Sequence, residues 1–516
     1  MKACIINPPT QVKKRKFEEW SDNSVVNVQY LGIAYLEAAL LEAGYEVTLY
    51  DCPSEGIGLN QLYKSLKENK FDIVGISVFY YNLFNFERIL FFLENKMPDT
   101  FLFIGGYAPT LDYKKMLKTH LFVKAIILGE GEKIIVDLFK NLEKGMLEWK
   151  NTKGIAYCEG REIKMNIVEE YTHLDKLPFP NHQLRNKCRT ISIVSSRGCY
   201  GNCGFCSEKK FSAYTKGPRI RFRTVENVIE EIDIIVKNLS VKNISFCDSN
   251  FLPASKEREK WLIDFLKVLE SRRYKVTFNA LLRANDIIYY KNYLPILKKV
   301  GFKYLFVGIE SFIQRQLDFY EKGITVEKNI QALKLLIENG IQFEFGFLIL
   351  DPFSTIEEIR ENLKILNDLN LYANIHYTQE FFSVGSLVFS ISGTKICDVI
   401  NEHGLNASND IGYHFVNRDI QLYYKILDEW INIMKEYQYI RFLIDKCYYY
   451  NEIVLSEWLR KCLIALYRLD VNCMNCLLYE FKNAELARKL ISTYKNKLNE
   501  IVEKYNEYIC AVIELK

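Results

Sequence analysis

Ser196-Arg197-Gly198-Cys199-Tyr200-Gly201-Asn202-Cys203-Gly204-Phe205-Cys206 brings three cysteines into one glycine-punctuated loop. Cysteine thiolates hold iron–sulfur clusters, and the cubane form has four irons, so three ligands leave one iron open to a ligand from outside the protein. Gly198, Gly201 and Gly204 tolerate positive φ and add no bulk, which lets the backbone bend around a cluster. Two plainer readings compete: a zinc site short of its fourth ligand, and buried cysteines acting as small apolar side chains. The glycines, and the apolar strand pattern of Ile191 to Ser195 just before the loop, weigh against both.

The rest of the chain must accommodate such a loop. Its 516 residues exceed one core and suggest about three domains. At 49% hydrophobic and 14% aromatic it is globular rather than disordered. Lys and Arg number 68 against 64 acidic residues, a net +4, which calls for neither nucleic acid nor an anionic membrane as partner. No apolar run approaches eighteen residues, and the N-terminal apolar stretch is too short for a signal peptide. Fourteen cysteines without a secretion signal read as reduced thiols and metal ligands, so the expected compartment is the cytoplasm.

Upstream, short apolar runs alternate with amphipathic helices, the pattern of a doubly wound parallel sheet. Strands are expected at Ala3–Asn7, Glu46–Tyr50, Ile73–Phe79, Phe101–Ile104 and Ala125–Leu128, with helices at Gly32–Ala43, Leu59–Asn69 and Asn85–Lys96. Ligands of such sheets bind beyond the carboxyl ends of the strands. There the unusual residues gather: Pro8-Pro9, Ser77, Gly105-Gly106 and Gly129-Glu130-Gly131.

Residues 151–188 read as a connecting segment, broken by Gly154, Gly160 and Pro178-Phe179-Pro180. Six further apolar runs separated by helix-length stretches follow: Ile191–Ser195, Ile244–Cys247, Val276–Asn279, Tyr304–Ile309, Phe343–Ile349 and Ile375–Phe382. Polar residues sit at their ends, where β/α barrels place their sites: Asp248, Arg283, Glu310 and Ser311. Asp248 and Arg283 suit the ammonium and carboxylate of an amino acid; the alternative is an ion pair with each other. Cys247, on a strand, reads as core rather than ligand. From about residue 400 the pattern turns helical, and Cys447, Cys462, Cys473 and Cys476 either hold a second cluster or, as the helical periodicity favours, pack as core.

The spacing C-x3-C-x2-C, with Phe205 just before the last cysteine, resembles the signature of the radical S-adenosylmethionine superfamily. The strand-end residues, with Tyr30-Leu31-Gly32 and Val74-Gly75-Ile76-Ser77, look like the cobalamin-binding domain that precedes many of its members. The resemblance covers about residues 1–400 and implies an α/β chain. Its parts would be a Rossmann-like doubly wound cobalamin-binding domain (1–150), the connecting segment (151–188), a partial six-stranded radical S-adenosylmethionine β/α barrel (189–400) and a mostly helical C-terminal domain (401–516). It also implies three cofactors. Cys199, Cys203 and Cys206 would carry a 4Fe-4S cluster. Phe205, Glu310 and Ser311, with Asp248 and Arg283, would contact S-adenosylmethionine. Pro8, Pro9, Tyr30, Leu31, Gly32, Ser77, Phe79, Tyr80, Gly105, Gly106, Gly129, Glu130 and Gly131 would contact cobalamin.

No Asp-x-His-x-x-Gly sequence occurs, so no histidine is expected beneath the cobalt, and His120 reads as a surface or capping residue. Phe79, Tyr80 and Tyr81 would cover that face or pack over the sheet edge. The favoured activity is methylation of an unactivated carbon of a metabolite, natural-product intermediate or peptide, through methylcobalamin and a 5′-deoxyadenosyl radical. Rearrangement, cyclisation or oxidation without methyl transfer is the first alternative, and a non-catalytic electron-transfer protein the second. The expected partners are the substrate and an electron donor such as flavodoxin or ferredoxin.

Overall fold

The computed structural model describes residues 1–9, 30–145, 147–169, 171–182, 190–239, 241–376, 387–407, 412–450 and 452–515. They form two compact units: one of residues 1–9, 30–200 and 206–280, the other of 201–205 and 281 onward.

The first unit is built on a seven-stranded sheet: β1 (Ala3–Asn7), β2 (Val47–Asp51), β3 (Ile73–Ser77), β4 (Phe101–Gly105), β5 (Ala125–Ile127), β6 (Ile155–Glu159) and β7 (Glu162–Met165), in the order β2-β1-β3-β4-β5-β6-β7. β1 to β5 pair in parallel. Their near-continuous apolar runs follow from burial on both faces: Cys4 and Ile6 enter one core, Ala3 and Ile5 the other. Helices Leu31–Glu42, Leu59–Asn69, Leu83–Lys96 and Tyr107–Thr119 supply the crossovers, and Glu132–Lys144 follows β5. β1 lies between β2 and β3, so the chain direction across the sheet reverses there, where an open α/β sheet leaves a crevice.

The antiparallel β6 and β7 extend this sheet from within the stretch read as a connection. The same unit holds three parallel barrel strands, β8 (Thr190–Ile193), β11 (Asn243–Phe246) and β12 (Thr277–Arg283, whose last three residues belong to the second unit). A short ribbon of β9 (Ser196–Arg197) and β10 (Arg221–Phe222) flanks the cysteine loop.

The second unit has the parallel pair β13 (Phe302–Glu310) and β14 (Gln342–Phe347), followed at Ile375 by a single bridge to Phe343. The rest of the expected sixth strand, from residue 377, lies outside the described residues. Its C-terminal part is helical, as expected: Arg418–Lys435, Tyr439–Tyr450, Ile453–Glu480, Ala484–Lys504 and Asn506–Ile513. Among the described residues no helix is long and apolar enough to cross a membrane.

Candidate functional site

In the first unit a cleft opens at the carboxyl ends of β1, β3, β4 and β5. Tyr30, Leu31, Gly32, Ser77, Phe79, Gly105, Gly106, Gly129, Glu130 and Gly131 all line it. Glycine is required at particular points. Gly106 has φ +100, and a Cβ there would stand 2.7 Å from the Val78 carbonyl oxygen. Gly129 has φ +74, and its Cβ would press on Tyr214 and Thr215 at 3.1 Å. Gly75 leaves room for the Phe103 ring, which a Cβ would meet at 2.3 Å.

Asp51, at the end of β2, fixes the rim. Its carboxylate accepts from Asn7 Nδ2 at 2.9 Å and from the Tyr30 backbone N–H at 3.0 Å. Tyr30 stands edge-on to Phe79, with centroids 5.3 Å apart, and its hydroxyl, hydrogen-bonded to Ser77, is pushed well above the usual phenol range by burial. Phe79 leans on Tyr107, which stacks on Phe211 at 4.1 Å. The Tyr107 hydroxyl donates to Glu208 at 2.5 Å; burial first, then that carboxylate, raise its pKa.

Pro8, Pro9 and Tyr80 are not among the lining residues. The Pro9 carbonyl accepts from Asn85, and the Tyr80 hydroxyl donates to Asp112 at 2.9 Å. Among the described residues no histidine lines the cleft. His120 caps the helix Tyr107–Thr119 and packs edge-on to Phe86.

Sequence reasoning passed over Tyr107, Glu132, Arg197, Glu208, Phe211, Cys247 and Ser249, which also line the cleft. Cys247 corrects an expectation. It is exposed and faces the cleft instead of packing in the core. The signal was strand alternation: Phe246, Asp248 and Asn250 are buried while Cys247 and Ser249 point out.

The cysteine loop starts at Gly198, with φ +90; a Cβ there would lie 1.9 Å from the Arg219 carbonyl oxygen. Cys199 and Cys203 are half-buried and Cys206 is exposed. In the second unit the Gly204 N–H donates to the Tyr320 carbonyl at 2.8 Å, and the Gly204 carbonyl accepts from Ile396. Phe205 stands edge-on to Tyr320 at 5.8 Å. Arg283 donates from Nη1 to Cys203 Sγ at 3.1 Å and from Nη2 to the Lys322 carbonyl at 2.5 Å. Among the described residues no three His, Cys, Asp or Glu side chains form a ready-made single-ion site. Three thiols on one accessible loop, one already facing a guanidinium donor, suit an iron–sulfur cluster in donor chemistry.

Asp248 lies inside the first unit, 1% exposed. It accepts from Ser195 N and Oγ and from Ser196 Oγ at 2.5–3.2 Å. Burial raises its pKa, against the lowering by Arg258 and these donors. Glu310, with φ +65, ends β13 and accepts from Lys322 Nζ at 2.8 Å. Gly308 and Gly346 leave space for its carboxylate, since Cβ atoms there would come within 2.9 and 2.7 Å of its oxygens. Ser311 is fully buried in a network with Gln316 and Asn362. In the C-terminal helices Cys447, Cys462 and Cys473 are buried, and burial pushes Cys462 up to about 12 and Cys473 higher still.

Two sequence families meet in this chain. Residues 193–366 match the radical SAM superfamily and residues 23–139 the B12 binding domain. The chain thus joins a radical SAM domain to a B12 binding domain, and the cofactors of these two domains are a 4Fe-4S cluster with S-adenosylmethionine, and cobalamin. It is 28% identical over 351 residues to the anaerobic magnesium-protoporphyrin IX monomethyl ester cyclase of Rubrivivax gelatinosus, covering 66% of this chain but only 62% of that protein, under two thirds of its length. It is 27% identical over 379 residues to an uncharacterized methyltransferase of Pyrococcus horikoshii, covering 72% of this chain and 79% of the other. The solved structure of the cobalamin-dependent S-adenosylmethionine radical enzyme OxsB, with aqua-cobalamin and S-adenosylmethionine bound, matches with a TM-score of 0.66 over 98% of this chain and 83% of that one. At 20% identity this establishes a common fold.

Proposed function

We propose that this protein methylates an unactivated carbon of a metabolite, natural-product intermediate or peptide, acting in the cytoplasm without nucleic acid and drawing electrons from a donor such as flavodoxin or ferredoxin. The observation that carries the reading is the glycine-walled cleft, without a histidine among its described lining residues, in a chain that also holds the three-cysteine loop. When bound, cobalamin supplies a methyl carrier and the reduced cluster the electron that splits S-adenosylmethionine.

The chain's own residues hold and shield these groups. Backbone at Gly105, Gly106, Gly129, Glu130 and Gly131, with Gly32 and Leu31, cradles the flat ring system, with Pro8, Pro9 and Tyr80 further out. Tyr30, Phe79 and Ser77, which line the same cleft, would pack against it and keep water away. Cys199, Cys203 and Cys206 hold the cluster. Phe205, Glu310 and Arg283 contact the nucleotide, while Asp248 and Ser311 brace the walls that present them. Functionally the chain divides at residues 150, 188 and 400, with substrate recognition assigned to the helical part.

The resemblance to a cyclase favours a second reading, radical cyclisation or rearrangement without methyl transfer. The two separate on incubating anaerobically reconstituted protein with methyl-deuterated S-adenosylmethionine, reductant and a metabolite extract of the source cells. A product carrying the labelled methyl is expected. Formation of 5′-deoxyadenosine with no labelled product overturns methylation in favour of the second reading.

A further inference from the structure

Four charges stand where the cysteine loop leaves the ribbon. In the β9–β10 ribbon Arg197 and Arg221 are direct cross-strand partners. Like charges in that position repel, and the ribbon survives because carboxylates of the Gly129-Glu130-Gly131-Glu132 turn lie between them. Glu130 takes Arg197 Nη1 on Oε2 at 3.1 Å and Arg221 Nη2 on Oε1. Glu132, the first residue of the helix Glu132–Lys144, takes Arg197 Nη2 at 2.6 Å. Arg221 also donates to the Thr172 carbonyl, and Arg197 lies over the Tyr35 ring at 5.0 Å. Two cations and two anions cancel. All four side chains are at most 18% exposed, so none is well screened by water. Burial alone would raise the pKa of Glu132, but Arg197, a backbone donor and Arg221 together outweigh it and hold the carboxyl below its usual range.

The placement of the quartet gives it a use. Glu130, Glu132 and Arg197 line the cleft, as does Gly198, the residue after Arg197 and the one before Cys199. Arg221 stands outside the lining. Whatever fills the cleft therefore presses on the side chains that anchor the first residues of the cysteine loop.

We propose that Arg197, Glu130, Glu132 and Arg221 are positioning residues that tie the cysteine loop to the wall of the corrin cleft, so that filling the cleft orders the loop carrying Cys199. The inference rests on the reading of the cleft as the cobalamin site. The test needs no turnover. Hydrogen–deuterium exchange of the peptide spanning residues 195–207 is measured on the full chain with and without hydroxocobalamin. In the wild type hydroxocobalamin slows exchange several-fold. Arg221→Leu, which leaves every lining residue in place, still acquires corrin absorption but loses that slowing, and Arg221→Lys regains part of it.

An unchanged exchange rate in cobalamin-loaded wild type overturns the proposal. So does full protection in Arg221→Leu, or its failure to take up corrin, which would make Arg221 a determinant of binding rather than of loop order. Failure of the wild type itself to acquire corrin absorption sinks the cleft assignment, and is read before any exchange is measured.

Discussion

Gly106 is the sharpest single test of the cleft. Its φ of +100 is a conformation that L side chains rarely adopt, and a Cβ there would run into the Val78 carbonyl oxygen at 2.7 Å, an obstacle that cannot rotate away. Strain of this kind costs about 1–3 kcal/mol, and any relief must move the Gly105-Gly106 turn that forms one wall. Gly106→Ala is expected to lower the thermal midpoint and to weaken hydroxocobalamin binding at least tenfold, as read by titration of the corrin absorption. Binding at wild-type strength would remove Gly106 from the cradle. Residue type was a good guide at such positions because positive φ leaves a visible mark in a sequence. It misled at the end of β11, where the charge of Asp248 drew attention. The pleat turns Asp248 inward to Ser195 and Ser196 and sends Cys247 and Ser249 to the cleft. Chemistry was legible there, direction was not.

Element by element, the parallel strands and crossover helices of the first sheet lie close to where periodicity puts them, because burial on both faces writes a continuous apolar run into each strand. β6 and β7 escaped notice for the opposite reason. They are short, antiparallel and partly exposed, and Glu159 and Glu162 beside the turn read as loop. The helix Ile453–Glu480 settles how its cysteines are packed. Cys462 and Cys473 are buried within it, and Cys476 pairs with the Tyr494 hydroxyl at 3.2 Å. Burial favours the neutral thiol over the thiolate that a cluster requires. Replacing Cys473 and Cys476 together by alanine is therefore expected to leave iron and sulfide at about four each per chain, while the lost buried sulfur lowers stability by about 1–2 kcal/mol. A fall in iron content would establish an auxiliary cluster in these helices.

Across the whole chain, the proposed cobalamin and cluster sites draw on largely separate stretches of sequence. Apart from Gly198, the glycines that line the cleft lie between residues 32 and 131, and the three loop thiols between 199 and 206. Metal ligation by thiolates depends on ligand count, whereas a cleft closed by backbone and aromatic rings depends on shape. Loss of one thiol should thus be felt by only one cofactor. Cys203→Ala also removes the sulfur that accepts from the Arg283 guanidinium. The expected outcome is a protein that no longer assembles the cluster or releases 5′-deoxyadenosine under strong reductant, yet keeps the corrin absorption spectrum and binds hydroxocobalamin within about twofold of wild type, a difference of under 0.5 kcal/mol. The ionic quartet at Arg197 couples loop order to cleft filling but supplies no iron ligand, so it does not alter this expectation. Loss of corrin together with iron would mean that the loop must be metallated before the cleft can form, and that the two cofactors load in a fixed order.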